Sequence, residues 1–280
     1  MLNIIKVKKM FKKLLTILIM AVTITVFSGF MSSEKITVKG SDTMVILAQR
    51  WAERYMNKNS GISIQVTGGG SGTGINALIN GTTDICDASR PMKSSEIQKL
   101  KERFGSSGIE IKCAKDALTI YINEGNSVTG LNMQQLKDIY TGKITNWSQV
   151  GGNDAKIILY SRENNSGTYV YFKDNVLKGA DYAPSSQNLP GTAAVVNAVA
   201  KDRNGIGYGG MAYAKGIKHV NINGIQPTTE NIANGSYPIT RFLYMYLRNR
   251  PTGEMKSYID WILSPEGQKI VTEIGYFPIK

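Results

Sequence analysis

The sequence predicts an α/β fold, and three observations carry the prediction. Short apolar stretches alternate with segments whose apolar residues recur every three or four positions, the pattern of strands alternating with helices. Glycine is enriched, at 29 of 280 residues, and many of these glycines stand beside Ser and Thr where a strand hands over to a helix. The length suits one large domain or two modest ones, with no low-complexity tract to separate them.

The elements follow in order. Ile36 to Lys39 reads as a first strand. Thr43 to Lys58 reads as a helix, because Val45, Ala48, Trp51, Ala52 and Tyr55 share one face. Ile62 to Thr67 alternates as a strand does, and a glycine-rich turn then opens a helix from Gly74 to Asn80. Thr83 to Ala88 is a strand, Ser94 to Phe104 a helix and Leu118 to Ile122 a strand. The alternation continues with helices over Gln134 to Tyr140, Thr168 to Leu177 and Thr192 to Lys201. Between and after them stand strands at Lys156 to Tyr160, Ile206 to Tyr208 and Lys218 to Ile222. Ile239 to Leu247 is the last strand, and helices over Met255 to Leu263 and Pro265 to Ile274 close the chain.

The first 31 residues read differently. Lys6, Lys8, Lys9, Lys12 and Lys13 precede an apolar run from Leu14 to Phe27, and small residues follow. That is the build of a secretory signal, and its 14 apolar residues fall short of the ~20 a membrane span needs. Val26 and Ser28 suit a cleavage site, with an uncleaved anchor as the alternative. Phe30 stands where a lipoprotein would carry a cysteine. The expected location is therefore outside the cytoplasmic membrane, on its extracellular face or in the periplasm.

Formal net charge is +12, from 33 basic and 21 acidic residues; without the five leader lysines, 28 basic groups face the 21 acids. This excess is spread along the chain with no stripe of Lys, Arg and aromatics, so nucleic acid is not an expected partner. Cys86 and Cys113 are the only cysteines. Export permits a disulfide between them, and two buried thiols is the other reading. Neither they nor the single His219 build a metal site, and no cofactor is expected.

Three turns between strand and helix are built alike: Gly40-Ser41-Asp42-Thr43, Gly68 to Gly74 (GGGSGTG) and Ser161 to Thr168 (SRENNSGT). A helix start offers unpaired N–H groups and partial positive charge to an anion. Glycine lets backbone approach a ligand, hydroxyls donate to oxyanion oxygens, and Arg162 adds a planar fork. Helix capping is the better explanation of any one turn alone. Three together, one carrying an arginine, point to a bound oxyanion. The glycine run lacks dinucleotide spacing, Gly142-Lys143 is followed by Ile144 rather than Ser or Thr, and Thr73 replaces the last glycine of a nucleophile elbow. No enzyme is expected.

These turns, with DASRPM (87–92), IYTGKITNWSQVGG (139–152), GIGYGG (205–210) and LSPEGQKIVTEIGYFP (263–278), resemble the phosphate-binding component of the high-affinity phosphate ABC transporter. The resemblance runs in order through essentially everything after residue 35. It implies a two-lobe periplasmic-binding-protein fold of type II, each lobe a sheet flanked by helices, joined by a two-strand hinge. Residues 36–118 plus 241–280 would form one lobe and 119–240 the other, with crossovers near Leu118 to Tyr121 and Tyr237 to Arg241. Phosphate would touch Ser41, Asp42, Thr43 and Ser71 from one side and Arg162, Ser166, Gly167 and Thr168 from the other.

Some family members carry an Asp, accepting the phosphate proton, where Arg90 stands here. The expectation is that Asp42 takes that role and that Arg90 donates to phosphate or pairs with Asp42; capping of the following helix is the alternative role for Asp42. The resemblance implies a monomer that delivers inorganic phosphate to a membrane permease. Alternatives are a receptor for sulfate or molybdate, a hydrolase on a similar fold, and a sensor or adhesin.

Overall fold

The computed structural model describes residues 34–213 and 216–279, and the expected signal over 1–31 lies outside them. The chain opens on β1 (Glu34–Gly40), whose alternating Ile36 and Val38 are buried. It pairs in parallel with β2 (Ile62–Thr67) and with β3 (Ile85–Ala88). The first crossover is α1 (Val45–Lys58), which buries Leu47, Ala48, Trp51, Ala52 and Tyr55 along one face. The second is α2 (Ser71–Asn80), which starts three residues before the expected Gly74 because Ser71, Gly72 and Thr73 already form its first turn. α3 (Ser94–Phe104) follows β3.

β4 (Ile109–Ile122) is 14 residues long, although the sequence reading covers it only from Leu118. Its first part exposes Glu110, Lys112 and Lys115, and the alternation there breaks where Cys113 and Ala114 are buried in succession. Cys113 is the extra residue there: Leu243 and Tyr244 of the partner strand β11 (Thr240–Leu247) face Ala114 and Lys112, and Cys113 bulges between them.

Next come β5 (Gly130–Leu131), α4 (Met133–Tyr140), β6 (Ile158–Arg162), α5 (Gly167–Asn175), β7 (Gln187–Leu189) and α6 (Gly191–Lys201). β8 (Gly205–Gly210) precedes β9 (Lys218–His219) and β10 (Asn221–Ile222), which replace the single strand expected over Lys218 to Ile222. They are separate because β9 pairs with β4 whereas β10 pairs with β5. α7 (Thr229–Ala233), β11 (Thr240–Leu247), α8 (Gly253–Ile262) and α9 (Pro265–Ile274) complete the described chain.

Nine strands form one mixed sheet in the order β2-β1-β3-β11-β4-β8-β6-β7, with β9 added beside β4. β4 changes partner midway: Ala117 still faces Thr240 of β11, whereas Leu118 faces Gly210 of β8. The core divides at the same place. One cluster, including Ile120, Tyr140, Trp147, Phe172 and Tyr208, draws its buried residues only from 117–239. Another, including Ile36, Trp51, Ile64, Leu243 and Val271, draws on the two chain ends. Smaller clusters around Leu78 and Leu100, and around Tyr121 and Val199, cover the opposite faces. Each half is thus a sheet with helices on both faces, and the halves are joined where β4 and the start of β11 run side by side.

Cys86 and Cys113 are both free and buried, on strands that β11 separates. Among the described residues no helix is long and apolar enough to cross a membrane.

Candidate functional site

Ligands of open α/β sheets bind beyond the carboxyl ends of parallel strands. Here the loops leaving β1, β2, β3, β6 and β7 meet in that position. Gly40 ends β1 at φ 152°, and a side chain there would put its Cβ 2.0 Å from the Asp87 carbonyl oxygen. Glycine is therefore required for the turn that follows. Ser41 N donates to Asp87 O at 2.8 Å. The carbonyls of Asp42 and Thr43 accept hydrogen bonds from the hydroxyls of Tyr213 and Tyr276. Two tyrosines thus hold the peptide oxygens of this turn.

Asp42 does not cap α1: Met44 occupies the cap position, without a side-chain bond. Its carboxylate instead spans the two halves. Oδ1 accepts from Gly69 N at 2.7 Å, and Oδ2 accepts from Arg162 at 2.6 Å. Arg162 is the last residue of β6, is 1% exposed, and also donates to Thr192 Oγ1 at 2.8 Å in the first turn of α6. Its Nε is buried without a partner. Burial pulls the pKa of this guanidinium down, and the Asp42 carboxylate pushes it back up. The preceding Ser161 is fixed from below, its hydroxyl 2.7 Å from Tyr208 in an aromatic stack with Phe172 and Tyr182.

The remaining expected residues gather around this pair. Ser71 begins α2, and its Oγ accepts from Ser89 N at 3.0 Å. Ser166 caps α5, accepting from Thr168 N and Tyr169 N at 3.2 and 3.4 Å, which leaves its hydroxyl hydrogen free to donate. Thr43 and Thr168 share a hydroxyl–hydroxyl bond of 2.9 Å between the halves. Gly72 N donates to Asn165 O at 2.8 Å, and Asn165 Nδ2 donates to Gly69 O at 3.1 Å, so the halves touch along this seam. Gly167 is packed so closely that a Cβ would lie 2.3 Å from Ser71 Oγ and 2.7 Å from Ser89 Oγ.

Arg90 departs from expectation. Its terminal nitrogens donate to both oxygens of Glu96 at 2.8 and 2.7 Å and to Pro91 O at 2.9 Å. It therefore holds the first turn of α3 and does not pair with Asp42. The reason is local: Glu96 stands on that first turn, where it also accepts from Lys93 N.

Four residues here escaped the sequence reading: Ser89, Thr192, Asp116 and Arg241. Arg241 carried a signal, as the single charged side chain in the otherwise apolar strand TRFLYMYL. It donates to Asp116 at 2.8 Å and, from the same nitrogen, to Thr168 Oγ1 at 3.0 Å and Thr43 Oγ1 at 3.4 Å. Burial pushes the pKa of Asp116 up, and Arg241 opposes that shift.

Chemically, the assembly offers hydroxyl donors, three helix starts and two guanidinium groups, Arg162 paired with the carboxylate of Asp42 and Arg241 with that of Asp116. It suits a small oxyanion that bears a proton. A separate surface cavity of about 760 Å³ between α8 and α9 is lined by Leu263, Pro265 and Pro278, and none of the site residues lines it.

Residues 31–266 match the model of a PBP superfamily domain. The phosphate-binding protein PstS of Pseudomonas aeruginosa is 34% identical over 263 residues, which covers 86% of this chain and 81% of that protein. The phosphate-binding protein PstS of Bacillus subtilis is 32% identical over 253 residues, covering 89% and 82%. Among solved structures, a Clostridium perfringens substrate-binding protein with bound phosphate superposes at a TM-score of 0.83 with 33% identity, covering 88% of this chain and 100% of that one. An ABC-type phosphate transport receptor of Vibrio cholerae gives 0.71 with 31% identity, covering 86% and 99%.

Proposed function

This chain belongs to the PBP superfamily and, within it, to the PstS family, and on that premise we propose that it captures inorganic phosphate between its two lobes and delivers it to the permease of an ABC transporter. The observation that carries the proposal is the buried constellation drawn from both halves: Arg162 bonded to Asp42, Thr43 bonded to Thr168, and Gly167 seated on Ser71. Those groups can meet only when the halves are closed, as capture of a small ion requires. In this reading one lobe comprises 36–118 plus 241–280, the other comprises 119–240, and the chain acts as an exported monomer outside the cytoplasmic membrane.

Ser41, Ser71, Ser166 and one of the bonded hydroxyls of Thr43 and Thr168 donate to the phosphate oxygens, with the amides at the start of α5. Arg162 supplies charge-assisted bonds. Asp42 accepts the phosphate proton. Sulfate, which has none, would press a bare oxygen on a carboxylate in a dry cleft, so the sulfate reading is disfavoured. The protein binds and releases its ligand without changing it.

Calorimetric titration with phosphate and then sulfate, at pH 6 and pH 8, tests the proposal. Tight phosphate binding without sulfate heat is the expected outcome. Equal heats from both anions would remove phosphate as the specific ligand, and no heat from either would overturn the receptor reading.

A further inference from the structure

The two strands that join the halves carry a charged pair in register, Asp116 on β4 facing Arg241 on β11. Both are buried, Asp116 fully and Arg241 at 6% exposure. Arg241 Nε and one terminal nitrogen donate to a single carboxylate oxygen of Asp116 at 3.1 and 2.8 Å. A hinge-bracing pair would need nothing more. Yet that terminal nitrogen also donates to Thr168 Oγ1 at 3.0 Å and Thr43 Oγ1 at 3.4 Å, one threonine from each half. The other terminal nitrogen is buried without a partner, and the guanidinium lies 5.4 Å from the Tyr171 ring centre.

The hydrogens decide what this contact does. Arginine donates only, so both threonine oxygens are acceptors on the side that faces it, and their hydrogens must turn elsewhere. One hydrogen is used in the Thr43–Thr168 bond. The other is left to point at whatever the site holds. A pure donor behind the threonines therefore makes the pair a net donor in front, which an anion needs and a cation would not tolerate. Arg241 can reach Thr168 only while the second half is closed onto the first. Arg162 and Arg241 are also close enough that the charge on Arg241 depresses the Arg162 pKa. The two ion pairs here thus set two positive groups, Arg162 and Arg241, against two carboxylates, the partly exposed Asp42 and the buried Asp116.

We propose that Arg241, anchored by Asp116, is a positioning residue of the anion site: it orients the Thr43 and Thr168 hydroxyls as donors and ties their engagement to closure of the hinge. This rests on the phosphate-receptor reading. Loss of Arg241 then acts on release more than on capture, because its bond to Thr168 forms only in the closed state.

The experiment is stopped-flow phosphate kinetics on the mature protein with Arg241→Met, Thr168→Val and the double variant, plus Arg241→Lys, which keeps the charge for Asp116 but cannot also span both threonines. Arg241→Met should raise the dissociation rate between about 10- and 100-fold, the range for losing a hydrogen bond to a charged group, while the association rate stays within about threefold. In the Thr168→Val background the same change should cost markedly less. Arg241→Lys should shift dissociation in the same direction, and it decides the matter if Arg241→Met fails to fold. A wild-type dissociation rate in the folded Arg241 variants, or full additivity with Thr168→Val, overturns the inference and leaves the receptor reading standing. Failure of the wild-type protein to bind phosphate removes the receptor reading itself.

Discussion

Replacing Gly167 by alanine separates folding from closing. The glycine is the first residue of α5, with no left-handed backbone, so alanine suits its conformation and should favour the helix by roughly 0.5–1 kcal/mol. The obstacle lies across the cleft. The new Cβ would stand 2.3 Å from Ser71 Oγ, 2.7 Å from Ser89 Oγ and 2.9 Å from Ser71 Cβ, where ordinary contact begins near 3.4 Å. Ser71 cannot swing away freely, because its Oγ accepts from Ser89 N. Relief must come from the halves standing about an ångström further apart. Overpacking of that kind costs about 1–3 kcal/mol, and here it falls on the closed state alone. Phosphate affinity should therefore drop roughly 5- to 150-fold, with the melting temperature of the ligand-free protein unchanged or slightly raised. Calorimetric titration and thermal melting, each with and without phosphate, measure the two effects. Unaltered affinity would refute the reasoning. So would a drop in ligand-free melting temperature, which would make the contact part of the fold rather than of closure.

Two further variants probe the carboxylates. Asp42→Asn keeps the shape of the side chain but supplies an amide where the proton acceptor stood, so phosphate should bind about tenfold more weakly and sulfate should begin to bind; titration with both anions checks this, and retained sulfate rejection would place the acceptor elsewhere. Asp87, buried on β3, is pushed up to about 8 by burial from a usual value of 3.8. The folded chain then keeps a proton that the unfolded chain has released, so the associated stability is complete below about pH 4 and is lost as pH rises towards and through about 8. Calorimetric melting between pH 5 and pH 9 should show a decline in the wild type that Asp87→Asn flattens, and equal slopes would rule Asp87 out.

The parts of the site that the sequence disclosed are those specified within a few residues. The glycine run, the Ser166 cap and Arg162 at a strand end are all local signals, because a helix start depends on its own first turn. Ser94 to Phe104 and Pro265 to Ile274 likewise carry their boundaries in their caps, and the structure places both helices over the same residues. What stayed hidden depends on pairing. The first half of β4 mixes exposed charges with two successive buried residues, so its alternation becomes clear only once its pairing with β11 shows Cys113 as an extra, bulged residue. Asp116 and Arg241 stand 125 positions apart and meet through strand register alone. The expected pairing of Arg90 with Asp42 failed for the opposite reason: its partner Glu96 lies only six positions away, and the resemblance drew attention across the cleft instead.

The hinge, finally, bears on what kind of signal the protein can give. Two adjacent antiparallel strands bend readily about the line that crosses them, whereas sliding or twisting would shear their ladder, including the bond from Leu118 N to Ile239 O at 2.9 Å. Motion is thereby confined to nearly a single coordinate. The Asp42–Arg162, Thr43–Thr168 and Asn165–Gly69 contacts all lie along that coordinate, so they form and break together. In the proposed receptor, occupancy would be a two-valued message, with graded phosphate concentrations read as a fraction of molecules shut rather than as a degree of shutting.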